Sequence, residues 1–255
     1  MDVTPAQFRG SSGMKQPALP SKPRKSVRSV QMLLDYFRNF LFREFIDRNV
    51  VSLVRKNMEP FRVLLSYYRC AMMAVETKFN VLNEQFSLQY DRNPIESIKT
   101  RLKSVESIIK KIQARNLPVS LESVVNHIHD VAGVRIVCSF TDDIYRLADC
   151  LLQQDDVKLI RRKDYIQNPK PGGYRSLHLI VEVPIFLEQG RREMRVEVQL
   201  RTIAMDFWAS VDHKIRYKKD IAESEQAAIA QELAECAALC ADMDRRMENL
   251  RSRVF

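Results

Sequence analysis

The chain has 255 residues, 45% hydrophobic and 29% charged, with a formal net charge of +9. That is a globular composition, enough for one sizeable core or two small ones, and it excludes an intrinsically disordered chain. No apolar run approaches the about 20 residues that cross a bilayer, and the N-terminus lacks the apolar stretch of a secretory signal, so no membrane partner is expected and the expected location is cytoplasmic. Residues 1–30 carry about +5, residues 158–175 about +5, and the remainder is near −1. Two local basic patches are a poor match to a uniform nucleic-acid coat.

In chain order, residues 1–27 are rich in Pro, Ser, Gly and Lys and are expected to be a disordered basic tail, either a solubilising leader or an RNA-contacting arm. From Val30 to Asn57, Leu33, Leu34, Phe37, Phe40, Leu41 and Phe45 recur at helix spacing. Pro60 is expected to end that helix, and a second runs from Phe61 to Tyr90. Asn93-Pro94 reads as the start of a third helix, with Ile95, Ile98, Leu102, Val105, Ile108, Ile109 and Ile112 on one face. Its Lys99, Lys110 and Lys111 read as solvated charges.

From Asp130 the run V-A-G-V-R-I-V-C-S-F is a strand rich in β-branched residues. Thr141 to Gln154 reads as a helix with Thr141 as N-cap and two aspartates in its first turn. Strands follow at Val157–Ile166, Leu177–Phe186 and, after a turn at Gly190, Glu193–Thr202. Helix returns from Ile203 to Lys218. In the last segment Ile229, Leu233, Cys236, Cys240, Met243, Met247 and Leu250 repeat in steps of four and three, a heptad seam that either packs on its own subunit or forms a helical oligomer interface. Helices before, between and after strands predict an α/β sheet with helical layers. The expected division is a tail at 1–27, N-terminal helices at 28–92, a core at 93–218 and a C-terminal helix at 219–255. Cys70, Cys138, Cys150, Cys236 and Cys240 are odd in number, form no C-x-x-C pair, and read as buried free thiols.

The chemistry concentrates in two stretches. Residues 158–175 read K-L-I-R-R-K-D-Y-I-Q-N-P-K-P-G-G-Y-R, and residues 195–202 read R-V-E-V-Q-L-R-T. Cations offset phosphate charge, and a carboxylate beside them can hold a metal or accept a proton. Strand alternation sends Val196, Val198 and Leu200 one way and Arg195, Glu197, Gln199 and Arg201 the other, giving either a working face or simply a wet one. Asp130 and Glu197, from different strands, could share one Mg²⁺, which takes one or two protein carboxylates and fills its shell with phosphate oxygens and water. Gly133 leaves room for a ligand or another backbone. Tyr174 is a nucleobase platform or a core filler, and His178 a site hydrogen-bonding group or a structural one. The H-I-H-D run at 127–130 lacks the further His and Asp residues of a metal phosphohydrolase. The phosphate-binding patterns G-x-x-x-x-G-K-[ST] and G-x-G-x-x-G and the nucleophile pattern G-x-S-x-G are all missing.

Taken together, D-V-A-G-V-R-I at 130–136, R-x-K-D-Y-I at 161–166, N-P-K-P-G-G-Y-R-S-L-H at 168–178, E-V-Q-L-R-T at 197–202, A-M-D-F-W-A-S-V-D-H-K at 204–214 and N-P-I-E-S-I-K-T-R-L-K at 93–103 resemble the RelA/SpoT-type guanosine polyphosphate synthetases. The resemblance covers roughly residues 90–255. It implies a mixed sheet of about five strands flanked by helices, in a nucleotidyltransferase-like synthetase fold. It further implies a small alarmone synthetase without the hydrolase and regulatory halves of bifunctional members. Such an enzyme transfers the β,γ-pyrophosphoryl group of ATP to the 3′-OH of GDP or GTP, with Mg²⁺ as cofactor, in the stringent response.

Carried onto this chain, Asp130 and Glu197 match the family's metal-binding carboxylates, and Glu197 the acceptor of the 3′-OH proton. Arg101 and Arg135 match the arginines that sandwich adenine. Lys103, Lys163 and Arg175 match phosphate contacts, Tyr174 the guanine-stacking tyrosine, and His178, Gln199 and His213 further site positions. Asp206 and Asp212 stand where some small synthetases carry Asn and Glu. The resemblance implies a homotetramer assembled through terminal helices. Toxin-like relatives that use an adenosine nucleotide or a tRNA 3′ end as acceptor, and a non-catalytic nucleotide- or RNA-binding regulator, are the alternatives.

Overall fold

The structure, a computed structural model, describes residues 48–90, 93–216 and 223–254. The expected tail at 1–27 and the helix expected from Val30 lie outside these residues, except for the latter's last turns. Ser52 to Phe255 form one compact unit.

The first helix, α1, runs unbroken from Arg48 to Tyr90. Pro60 therefore does not end a helix, contrary to expectation. It lies on an exposed part of α1, where water can bond the carbonyl that its missing N–H leaves free. The helix expected from Asn93 is also corrected. Ile95–Leu102 is a strand, β1, and only then does a helix begin, α2 at Val105–Gln113, capped by Ser104 accepting from the Ser107 N–H. A short helix that sequence reading missed, α3 at Leu121–His127, is capped likewise by Ser120. Next come β2 at Ala132–Cys138, α4 at Thr141–Leu152 and β3 at Lys158–Asp164. Phe140, not Thr141, is the N-cap of α4 and makes no side-chain cap. The Thr141 N–H donates instead to Glu248 at 3.1 Å. Strands β4 at Leu177–Leu187 and β5 at Gly190–Thr202 form a hairpin, followed by α5 at Ile203–Arg216 and α6 at Glu223–Val254.

Among the described residues, five strands form one mixed sheet in the order β1-β2-β5-β4-β3, with β2 and β5 parallel and the other pairs antiparallel. One face is apolar. Val134 and Ile136 of β2, Val196, Val198 and Leu200 of β5, and Leu177, Leu179 and Val181 of β4 share a core with Phe79 of α1, Ile108 and Ile112 of α2, and Ile144, Leu147 and Leu151 of α4. Fully burying each such side chain contributes about 1.5–3 kcal/mol. The opposite face, carrying the alternate residues of the same strands, stays polar. A second cluster, Trp208, Leu233, Ala237 and Cys240, fastens α6 to α5, and the Trp208 indole N–H donates to the Leu233 carbonyl at 2.8 Å.

Within the heptad seam, Leu233 and Cys240 are buried, while Cys236, Met243, Met247 and Leu250 are exposed. The seam thus divides between packing on the subunit's own core and an open stripe. All five cysteines are free, but only Cys138 and Cys240 are buried; Cys70 and Cys236 are exposed, so the expectation of buried thiols holds in part. Among the described residues no helix is long and apolar enough to cross a membrane.

Candidate active site

The polar face is built by register. On β1, Arg101 lies beside Gly133 of β2, which lies beside Glu197 of β5. One step along, Arg135 of β2 neighbours Gln199 of β5, which neighbours His178 of β4, which neighbours Lys163 of β3. Alternation of side chains across these paired strands puts all of them on one surface.

Three recesses open on that surface. One of about 370 Å³ is lined by Lys99, Arg101, Lys103, Asp130, Gly133, Arg135, Glu197 and Gln199. A second of about 240 Å³ is lined by Lys111, Arg161, Lys163, Tyr165, Lys170 and His178, and again by Asp130 and Glu197. A third of about 530 Å³ takes Arg101 and Arg135 from the first and adds Tyr174, Arg201, Asp212, His213 and Lys214. Asp130 and Glu197, 67 positions apart in sequence, therefore stand together between a recess with two arginines and a recess with cations of β3 and the glycine loop.

The two carboxylates are held differently. Asp130 Oδ2 accepts from Lys103 at 2.9 Å and Lys111 at 2.7 Å. Burial pushes this carboxyl up, but the two ammonium groups outweigh that and hold it below its usual range. Its Oδ1 is buried and has no hydrogen-bond partner. Glu197 Oε1 meets His178 Nδ1 at 3.2 Å, and Oε2 accepts from Gln199 Nε2 at 3.0 Å. Burial again pushes up, and the bonds from His178 and Gln199 pull the carboxyl below its usual value against the opposing charge of Asp130. Both groups are ionised at neutral pH. Two hard oxygen donors side by side, one carrying an orphaned buried oxygen, suit a magnesium-like cation.

Tyr174 is not an isolated platform. Its hydroxyl lies 2.8 Å from His178 Nε2 and accepts from Arg201 at 2.6 Å. Lys170 and Arg201 lie 5.1 and 5.2 Å from its ring centroid. Lys170 is also 4.5 Å from the Tyr165 ring, so aromatic and cationic groups interleave in this loop. His213 is exposed and borders the third recess. Lys163 is exposed at the second.

Arg175 lines none of these three recesses. Its guanidinium donates to Asp244 of α6 at 3.0 Å and so ties the loop to the helix. Lys111, read as a solvated charge, holds Asp130 instead. Sequence reading missed it because 93–113 was taken as one helix, which hides that α2 turns back toward Asp130. Lys170, Arg161 and Arg201 were visible as charge but carried no assignment. Asp206, noted only as a departure, is buried and bonded to Lys99, Arg135 and Arg201.

Comparison with known proteins identifies the family and the fold. Residues 100–222 match the family described as "Region found in RelA / SpoT proteins". The chain is 43% identical over 197 residues to GTP pyrophosphokinase YwaC of Bacillus subtilis strain 168, covering 77% of this chain and 93% of that protein. The crystal structure of small alarmone synthetase 2 from Bacillus subtilis superposes with a TM-score of 0.68 at 41% identity, over 77% of this chain and all of that one (100%). Small alarmone synthetase 1 from the same organism, bound to its product pppGpp, superposes with a TM-score of 0.69 at 31% identity, over 77% of this chain and 98% of that one. The chain belongs to the RelA/SpoT family and has the fold of its small alarmone synthetases.

Proposed function

We propose that this chain is a GTP pyrophosphokinase that moves the β,γ-pyrophosphoryl group of ATP to the 3′-OH of GDP or GTP, giving AMP and guanosine tetra- or pentaphosphate. The observation that carries the reading is the position of Asp130 and Glu197 between the arginine-lined recess and the cationic loop recess. A donor on one side and an acceptor on the other would meet at the carboxylates. The pppGpp bound in the related synthetase supports the same product class.

Placement supports the following roles. Arg101 and Arg135, on adjacent strands and facing one recess, take adenine between flat cations. Lys103 faces the donor phosphates, and Lys163 the acceptor phosphates. Tyr174, bonded to His178 at the edge of the second recess, takes guanine, with His213 of the third recess as a further acceptor contact. Glu197 receives the 3′-OH proton as that oxygen forms its bond to the β-phosphorus. The bond from the β-phosphorus to the bridging oxygen breaks, and AMP leaves with that oxygen. His178 and Gln199 hold the Glu197 carboxylate in place for this step. Asp130 and Glu197 would hold Mg²⁺, which supplies neutralisation of phosphate charge. Most of the acceleration comes from in-line positioning and charge compensation.

Leu239, Met243, Met247, Leu250 and Val254 form an exposed apolar stripe on α6. This stripe favours self-association through that helix, with a homotetramer as the reading. The basic tail is left for RNA, and the cytoplasm is the proposed location.

The test is to incubate the protein with γ-labelled ATP and, separately, GDP, GTP, AMP or tRNA, and to separate products by thin-layer chromatography. Label on GDP or GTP with equal release of AMP is expected. Label on AMP or tRNA would assign the toxin-like chemistry, and nucleotide binding without AMP release would make the chain a regulator.

A further inference from the structure

Asp206 lies in the first turn of α5 and is almost fully buried. Three cations from three strands converge on it. Oδ2 accepts from Lys99 of β1 at 3.0 Å; Oδ1 accepts from Arg135 of β2 at 3.1 Å and Arg201 of β5 at 3.2 Å. One buried carboxylate thus joins two of the three guanidiniums that border the third recess.

Each guanidinium leads to a different half of the site. Arg135 has its Nε buried and unpartnered. Its bond to Asp206 is therefore the tie that fixes the orientation of the ring-stacking plane. Arg201 continues into a closed circuit. It donates to the Tyr174 hydroxyl at 2.6 Å and to Gln199 Oε1 at 3.1 Å. Gln199 donates to Glu197, and His178 joins Glu197 back to Tyr174. The circuit is satisfied with one proton arrangement: the Tyr174 O–H donates to His178 Nε2, and the His178 Nδ1–H donates to Glu197. Without Asp206 two like-charged guanidiniums would face each other across the strands with nothing between them, and Coulomb repulsion would drive them apart.

We propose that Asp206 is a positioning residue that sets Arg135 against the adenine and Arg201 beneath Tyr174, so that one side chain aligns the donor and acceptor nucleotides together. This rests on the reading of Arg135 as an adenine-facing residue. A purely structural carboxylate would change the melting temperature and leave nucleotide affinities alone. A positioning carboxylate changes both Michaelis constants and acts on ATP mainly through Arg135, with Lys99 as a smaller second route.

The experiment is a double-mutant cycle in the full chain with Asp206→Asn, Arg135→Ala and their combination, reading KM for ATP, KM for GDP, kcat and the thermal melt. Asparagine keeps the shape and one acceptor oxygen, so the variant is expected to fold. Losing the charge from the bond to Arg135 is expected to raise KM for ATP about tenfold, the scale of a charge-assisted hydrogen bond. KM for GDP is expected to rise with it. In the Arg135→Ala background, Asp206→Asn should cost ATP far less than in the parent, because the main group it acts through is gone. Additive losses in KM for ATP, or Michaelis constants unchanged in Asp206→Asn, would overturn the proposal while leaving Arg135 as an adenine contact. A wild-type KM for ATP in Arg135→Ala would instead overturn the adenine reading itself. An Asp206→Asn variant that melts early could still be read, by measuring ATP binding well below its melting temperature.

Discussion

Arg175 and Asp244 are bonded at 3.0 Å across the gap between the glycine loop and α6, with 16% and 7% of their side chains exposed. Burial pushes the Asp244 carboxyl up, and the bond from Thr202 together with Arg175 offsets only part of that. The pair is therefore a strut between loop and helix, held at some cost. Asp244→Asn should lower the melting temperature by a few degrees, from a loss of about 1–3 kcal/mol. It should also raise KM for the acceptor, because Tyr174 precedes Arg175 in the loop. Arg175→Ala should do the same to a similar extent, and the double variant should be no worse than either. If Arg175→Ala raised the acceptor KM far more than Asp244→Asn, the arginine would be touching phosphate.

The same loop is pressed on α6 at Gly173. A methyl group there would lie 2.2 Å from the Ala237 Cβ, and the backbone has φ of +92°. Gly173→Ala should displace the loop, weaken acceptor binding and destabilise the fold. Adding Ala237→Gly should restore only part of the loss. It makes room for the methyl but leaves a non-glycine residue in a conformation costing about 1–3 kcal/mol. Full rescue in a melt and a KM measurement would show that space alone was the problem.

Gly133 differs. A Cβ there would meet the Arg101 and Glu197 carbonyl oxygens at 3.6 and 4.0 Å, ordinary contact distances. Backbone crowding does not demand glycine, so the missing side chain serves the recess that Gly133 lines. Gly133→Ala should fold, with a melting temperature equal to or above that of the parent, since reduced freedom of the unfolded chain adds about 0.4–1 kcal/mol. KM for ATP should rise several-fold. A melt that falls with KM unchanged would place the requirement in the backbone.

The polar face of β5 was legible because the strand has one buried side: Val196, Val198 and Leu200 are fully buried, and the residues between them face the site. β1 was not legible, and the reason is physical. A register irregularity between Ile95 and Ser97 breaks its alternation. The bulge brings Ile95 onto the side of Ile98 and Leu102, so a bent strand carries apolar residues at the three-and-four spacing of a helix. That misreading concealed Lys111. Arg175 could not be placed from sequence either, because its partner lies on a helix 69 positions away, and a cation beside two glycines looks the same whether it faces phosphate or a carboxylate. Asp206 left no pattern at all, since three cations from three strands meet only after the sheet forms.

The Glu197 carboxyl sits below its ordinary value because His178 and Gln199 outweigh burial. A lowered folded-state value contributes stability that is complete above the unfolded value and is lost as pH falls through the folded one; Asp130 and Asp206, also lowered, act in the same direction. Stability should therefore hold across neutral pH and decline below about pH 4. The rate obeys the same titration: Glu197 adds no limb to the kcat profile between about pH 5 and 8. Glu197→Gln should still fold, losing only the modest stability its charge contributes, and cut turnover by about 10²–10⁴-fold, the scale of a general base. His178→Ala removes the bond that opposes burial, so the Glu197 carboxyl rises and an acid limb moves up toward neutral pH. His178→Gln, which can still donate to Glu197, should move that limb less. An acid limb in the same place for the parent and His178→Ala would mean that a different group, on the enzyme or on the nucleotide, accepts the proton.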